Sequence, residues 1–369
     1  MKKLHLNFIF FLLIASMNIG WAQTNGRISG KVVDKLTQKP IEGVSINLQS
    51  TNKVGQTDSL GKFRITGIPL KSYNLVLSMV GYKKQTLFNV IVNAGNESFF
   101  NIELESANNE LNEVIVTQNR KTAKVATLES PLSVQRLTTE EIKSNPGGDF
   151  DISKVIQALP GVGGGAQGGS FRNDIIIRGG GPNENVYYLD GIEIPVLNHF
   201  QTQGSSGGPQ GMLNVSFIED VKLNSSAFDA RYDNALSSVF QFRQRTGNPN
   251  KFQGNIRLSA TEFVLTSEGP LSKSGKTTFL ASARRSYLQF LFQALDIPIR
   301  PNFWDFQTKI THQIDNKTSI SFMALGAIDE FSFSAIKEET PEKLYVYNSN
   351  PLINQWNYTT GITLKRLTE

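Results

Sequence analysis

The sequence contains no cysteine. That excludes a disulfide framework, a thiol nucleophile and any thiolate-held zinc or iron–sulfur centre. Charge of one sign is also lacking: 37 Lys and Arg stand against 32 Asp and Glu, a formal net charge of +5. The basic residues are scattered, so nucleic-acid binding has no electrostatic basis. Beyond the first twenty-odd residues no run approaches the roughly 18 apolar residues of a membrane-spanning helix. Charged residues make up 19% and hydrophobic residues 39% of the chain, which excludes a wholly disordered polypeptide. At 369 residues, two or three domains are expected.

The N-terminus reads as an export signal. Lys2 and Lys3 precede the apolar run Phe8–Ala15, and the small residues Gly20 and Ala22 stand before Gln23. A basic start, a short apolar stretch and a small-residue cleavage site predict a signal peptide over residues 1–22, removed on export.

Residues 23–105 carry short strand patterns broken by turns. Val44, Ile46 and Leu48 alternate with Ser45, Asn47 and Gln49, the period of two that buries one strand face. Pro40 with Gly43, and Asp58-Ser59-Leu60-Gly61, mark reversals. The pattern predicts an antiparallel β-sandwich with no helix. The order G-K-V-V-D, P-I-E-G-V-S-I-N-L, T-D-S-L-G-K-F-R-I-T-G-I-P and Y-N-L-V-L-S-M-V-G-Y resembles the carboxypeptidase regulatory-like domain. That resemblance implies a non-catalytic module for binding or spacing.

Residues 106–124 are polar and Asn-rich around one β-prone island, Glu113-Val114-Ile115-Val116-Thr117. On residues alone the segment is either a linker with one strand or an extended peptide that pairs with another protein's sheet edge.

Four pieces follow in order within 125–246. Asp151–Val162 predicts a short helix stopped by Pro160-Gly161. Ile175-Ile176-Ile177-Arg178-Gly179 predicts a buried strand and a Gly turn. Val186–Ile194 predicts a hairpin turning at Asp190-Gly191. Ile218–Leu223 and Ala235–Phe240 complete the set. Together they resemble the plug domain of a TonB-dependent outer-membrane receptor, with Arg178, Gly179, Asp190 and Gly191 as the plug motif. In that family a TonB box precedes the plug, so the resemblance implies that Glu113, Val114, Ile115, Val116 and Thr117 bind TonB. It also implies ligand contacts from plug loops, here 163–173, 181–186 and 197–211, whose Gly, Asn, Gln and Ser content suits mobile loops.

Residues 247–369 predict about five long antiparallel strands, at 252–268, 276–292, 303–314, 318–333 and 353–367. Trp304, Phe306, Thr308 and Ile310 alternate with Asp305, Gln307 and Lys309, and Trp356, Tyr358, Ile362 and Leu364 with polar residues. Such strands fit an outer-membrane barrel or, equally, a soluble sandwich. Gly269-Pro270-Leu271 and Ser282–Tyr287 resemble the first barrel hairpin of the same receptors. Five strands do not close a barrel around a plug, which takes about 22, and the C-terminal Thr368-Glu369 lacks a terminal aromatic. The expected fold is therefore mainly β: an antiparallel sandwich, an α+β plug and the first strands of an incomplete transmembrane β-barrel, the N-terminal portion of a longer receptor.

No catalytic constellation emerges. Gly163-x-Gly165-x-x-Gly168 follows a helix and opens none, and Gly204-x-Ser206-x-Gly208 lacks a strand–turn–helix frame. His199 and His312 stand alone in different regions, and the scattered carboxylates give no reason to pair any two. The expectation is a receptor in the outer membrane of a Gram-negative bacterium, not an enzyme, with no cofactor. Its expected partners are TonB, outer-membrane lipid and a scarce solute: siderophore, corrinoid, sugar or peptide. The rival reading is a secreted or surface-attached binding or adhesion module.

Overall fold

The computed structural model describes residues 25–93, 96–107, 134–138, 142, 151–157, 159–164, 173–208, 210–225, 228–229, 231–259, 261–336 and 338–367. The expected signal peptide and the Glu113–Thr117 island lie outside them. Two compact units are present, one containing the strands up to Ala107 and one containing all later elements.

The first unit is the expected sandwich. Strands β1 (Asn25–Asp34), β4 (Lys62–Pro69) and β7 (Glu97–Leu104) form one sheet in the order β4-β1-β7. Strands β2 (Ser45–Leu48), β3 (Val54–Gln56), β5 (Ser72–Ser78) and β6 (Gln85–Ile91) form the other, ordered β3-β2-β5-β6. All pairs run antiparallel except β1 with β7, which is parallel. The alternating residues Ile46 and Leu48 meet Ile28, Val32, Leu75 and Leu77 in the core. At the Asp58–Gly61 turn the Asp58 carboxylate accepts the N–H groups of Leu60 and Lys62 at 2.9 and 2.8 Å. Gly61 there has φ +72°, which a residue without Cβ adopts freely.

The second unit has an inner α+β body and a meander of strands. The body's five-stranded sheet has the order β12-β11-β14-β13-β8. Its strands are β8 (Val134–Thr138), β11 (Asn185–Leu189), β12 (Ile192–Ile194), β13 (Ile218–Asn224) and β14 (Ser238–Gln244). Beside it lie helix α1 (Ile152–Gln157) and the hairpin of β9 (Val162–Gly164) with β10 (Ile175–Ile177). The helix ends before Pro160 and Gly161, the latter at φ +79°. Two tight turns have left-handed backbone at both central residues: Arg178-Gly179 (φ 51° and 83°) and Asp190-Gly191 (φ 52° and 85°). The latter joins β11 to β12 as a two-residue hairpin, the geometry that Asp-Gly favours.

The meander has six strands rather than five, paired antiparallel in sequence order: β15 (Gln253–Leu258), β16 (Glu262–Pro270), β17 (Thr277–Ser286), β18 (Ile299–Gln313), β19 (Thr318–Phe333) and β20 (Ile353–Arg366). The span expected as one strand at 252–268 reverses between Leu258 and Glu262. Ser259 closes that turn, its N–H donating to the Glu262 carbonyl and its hydroxyl accepting from the Glu262 N–H. The span 276–292 ends as a strand at Ser286 and continues as helix α2 (Leu288–Ala294). Helix α3 (Pro341–Ser349) lies between β19 and β20, with the Thr340 side chain capping its N-terminus through the Lys343 N–H. Among the described residues no helix is long and apolar enough to cross a membrane, which has no bearing on crossing by strands.

The meander inverts the usual distribution of polarity. On β18, Asp305, Gln307, Lys309 and Thr311 are buried while Trp304 and Phe306 are exposed. On β20, Trp356 and Ile362 are each 70% exposed. The polar face is turned onto the inner body, and Met323, Leu325 and Ala327 of β19 join the body's core with Phe240, Phe242 and Leu223. The sheet thus buries ionisable side chains and presents an extended apolar outer face, of a kind that water-facing sheets rarely carry.

Candidate functional site

The buried charges of the second unit gather where the inner body meets the meander wall, in two clusters. The first is built around His199, in the segment after β12. Its Nδ1 lies 2.6 Å from Asp329 Oδ1 on β19, and its Nε2 lies 3.0 Å from Asp305 Oδ2 on β18. Asp329 also accepts the Phe200 N–H at 2.8 Å and a Gln355 amide N–H at 2.9 Å. Phe200 presents that N–H from φ +55°, a costly backbone for a bulky residue.

Arg284 on β17 donates from Nε to Asp305 at 2.6 Å, donates to the Gly211 carbonyl and stands 3.5 Å from Glu262 on β16. Glu262 is paired in turn with Arg257. The His199 ring stacks on Phe303 at 3.7 Å between centroids, and the Arg284 guanidinium lies 5.2 Å from the same ring. On the body side, Asp151 accepts the N–H groups of Ser153 and Gly211 at 2.9 and 2.8 Å, and Ser153 donates to Asn198 at 2.6 Å. Helix α1, the segment 197–211 and all six wall strands therefore share one network of hydrogen bonds and ion pairs.

The electrostatics follow from burial and pairing. Burial works against a charged imidazole, yet hydrogen bonds to Asp305 and Asp329 and the charge on both outweigh it, so the His199 pKa stands above its ordinary value. Burial lifts the Asp151 carboxyl above its usual range despite the two backbone N–H groups it accepts.

The second cluster centres on the hairpin turn. Asp190 accepts the N–H and the side-chain amide of Gln244, both at 2.9 Å, and pairs with Lys309 on β18 at 2.9 Å. Lys309 also donates to the Gln244 carbonyl at 2.8 Å, and Gln307 donates to the Gln244 side chain at 2.7 Å. Asn214 bridges to Gln307 and to Ser282, each at 2.8 Å. Thr363 on β20 donates to the Asp190 carbonyl at 3.2 Å. Beside it, a Cβ on Gly361 would fall 2.2 Å from the Cδ1 tip of Ile192, so a side chain there would push that tip aside. Arg245 completes the contact with Glu268 through two guanidinium nitrogens.

Residues 126–239 match the family model of the TonB-dependent receptor plug domain, and residues 28–116 that of the CarboxypepD_reg-like domain. The chain carries a TonB-dependent receptor plug domain. The second match runs on into the Glu113–Thr117 island. Among curated proteins, none matches the chain. Similar solved structures include the ferric enterobactin receptor PfeA of Pseudomonas aeruginosa (Q482A mutant; 15% identity, 63% of this chain and 38% of that one, TM-score 0.43). The siderophore receptor PirA of the same organism shows 19% identity over 54% of this chain and 34% of its own, with TM-score 0.38. The outer membrane transporter YddB of Escherichia coli shows 12% identity over 55% and 34%, with TM-score 0.39. The chain spans less than two fifths of the length of these proteins.

Of the expected plug-motif residues, Asp190 and Gly191 stand at the second joint between plug and wall, whereas Arg178 and Gly179 form an exposed turn elsewhere on the plug. The loops expected as mobile ligand contacts behave differently. Segment 197–211 is largely buried: Leu197, Asn198, His199, Ser205 and Ser206 are inside, and among its described residues only Gln203 and Gly204 are exposed. Within 181–186, Asn185 is buried and donates to the Ile175 and Pro182 carbonyls. Residues 165–172 lie outside the described residues. The first cluster was invisible to motif reading because its members come from separate regions. The one signal for either cluster was the polar alternation on β18, where Asp305 belongs to the first cluster and Gln307 and Lys309 to the second.

Proposed function

We propose that this chain is the N-terminal part of a TonB-dependent outer-membrane receptor for energy-coupled uptake of a scarce solute, and that it binds and passes its cargo rather than transforming it. The observation that carries the reading is the plug domain seated by buried charges against a wall whose outer face is apolar. In this reading the strands β15–β20 begin a barrel in outer-membrane lipid, and Glu113–Thr117 is the segment that TonB engages. Pulling there would act first on β8, an edge strand of the plug sheet paired only to β13 among the described residues. The solute, a siderophore, corrinoid, sugar or peptide, enters from the side opposite TonB. The carboxypeptidase regulatory-like unit then serves as a spacer or accessory binding module.

The test is binding of the whole chain to a TonB C-terminal domain, with and without residues 106–124. Binding that disappears on deletion supports energy coupling through this segment. Binding that is absent, or that survives deletion, overturns the assignment of the segment.

A further inference from the structure

The first cluster has a charge count that decides the state of its histidine. To this cluster the wall contributes Arg257 and Arg284 as cations and Glu262, Asp305 and Asp329 as anions. The wall is thus one positive charge short, and His199 is inserted at that point from the plug. Both of its ring nitrogens face carboxylate oxygens, at 2.6 and 3.0 Å. An ionised carboxylate only accepts hydrogen bonds, so both nitrogens must donate, which a neutral imidazole cannot do. Of the other groups at the ring, Arg284 Nη2 lies 3.4 Å from Nε2, a contact that a neutral ring would accept but one longer than either carboxylate contact, and Phe303 covers the face; Asp151, near Arg284, accepts from Ser153 and Gly211.

We propose that His199 is held as an imidazolium that pins plug segment 197–211 to the wall, so that losing this single proton releases the segment. The neutral ring would set a nitrogen lone pair against one carboxylate oxygen and leave the five wall charges without their balancing cation, although Asp305 keeps Arg284 and Asp329 keeps Phe200 and Gln355; that state is costly enough to open the joint. The released segment includes Gly211, whose N–H and carbonyl tie it to Asp151 and Arg284, so helix α1 would loosen with it. The sign follows from linkage. A histidine whose pKa is raised in the folded state contributes its full stabilisation below the unfolded value, about 6.5, and loses it as pH rises through the folded value. The joint is closed below the unfolded value and opens as pH rises through the raised folded one. This behaviour is independent of the uptake reading, because a chain that binds no TonB would hold its plug in the same way.

Two measurements on the whole chain test it. In nitrogen-15 spectra of histidine-labelled protein, with His199→Gln used to assign signals, both His199 nitrogens should carry protons at pH values where a histidine in a model peptide is neutral. A neutral tautomer of His199 at pH 7 would overturn the proposal. The absence of cysteine also allows one reporter thiol: Ser205→Cys, buried in the pinned segment. Its maleimide labelling, normalised to a surface thiol at Lys53→Cys, should be slow at neutral pH and rise as His199 deprotonates. In the His199→Gln background it should be faster by about a hundredfold and lose that pH step. A non-titrating cation, His199→Lys, should label slowly across the range. The same pH step in the Gln background would overturn the proposal.

Discussion

Replacing Asp190 by alanine is the sharpest perturbation of the plug–wall contact. The Asp190 and Lys309 side chains are 9% and 8% exposed, so water screens their pairing little. Without the carboxylate, the Lys309 ammonium keeps the Gln244 carbonyl among the described residues, and the Gln244 N–H and side-chain amide lose their acceptor. Breaking a buried pair on one side costs about 3–5 kcal/mol. Alanine also meets the left-handed backbone at φ +52°, which adds about 1 kcal/mol. The expected loss is about 4–6 kcal/mol, a large share of the roughly 5–15 kcal/mol that holds a domain folded. Asp190→Asn tolerates the turn and keeps an oxygen for the Gln244 N–H, so it should cost about 1–3 kcal/mol. Asp190→Ala with Lys309→Met removes the orphaned cation and should recover about 2 kcal/mol of the alanine loss. Amide hydrogen exchange in β11 and β14 reads the opening free energy directly, because the Asp190 N–H bonds the Phe242 carbonyl at 2.9 Å. A loss under about 0.5 kcal/mol for Asp190→Ala, or strict additivity with Lys309→Met, would refute the reasoning.

Three further expectations concern other parts of the chain. Ile362→Arg, on the outward face of β20, should destabilise the protein in lipid bilayers by about 2–4 kcal/mol if that position lies near the midplane; unfolding in vesicles that shows no change would place that face in water. Gly61→Ala should lower the melting temperature of the sandwich by several degrees, because φ is +72° and the new Cβ would sit 2.4 Å from the Val32 carbonyl oxygen. If Glu113–Thr117 pairs as a strand, Val114→Pro should abolish TonB binding in a pull-down while Val114→Ile leaves it intact, since proline removes a ladder N–H.

Much of the fold was legible because local chemistry and tertiary structure agree. Alternation in Val44–Leu48, the Asp58–Gly61 turn and the Asp190-Gly191 hairpin all became what their residues specify. The errors arose where a strand pattern continued across a turn. No Gly, Pro, Asn or Asp stands between Leu258 and Glu262, so the reversal at Ser259 was hidden; it is closed by hydrogen bonds between Ser259 and Glu262 that periodicity does not register. Likewise Leu288–Ala294 is apolar enough to extend β17, yet it coils into a helix that packs on β18.

The site was less legible, for a physical reason. A period of two separates two faces of a strand but does not say which is wet. In a soluble sandwich Trp304 and Phe306 would be core and Asp305 surface; here Asp305 is 2% exposed and Phe306 45%. Only the plug, supplied by residues a hundred positions earlier, decides between the two. It fills the concave side with donors and acceptors matched to the wall, so polar side chains are sheltered and apolar ones are displaced outward. His199 is the extreme case. Alone in the sequence it carried no signal, because its role is set by two carboxylates 106 and 130 residues away. What makes such a contact sensitive is the same feature that hides it: it joins plug and wall through charge and hydrogen bonds beside the apolar contacts of Met323, Leu325 and Ala327, so exchanging its polar partners for water or for one proton weakens the joint at that point.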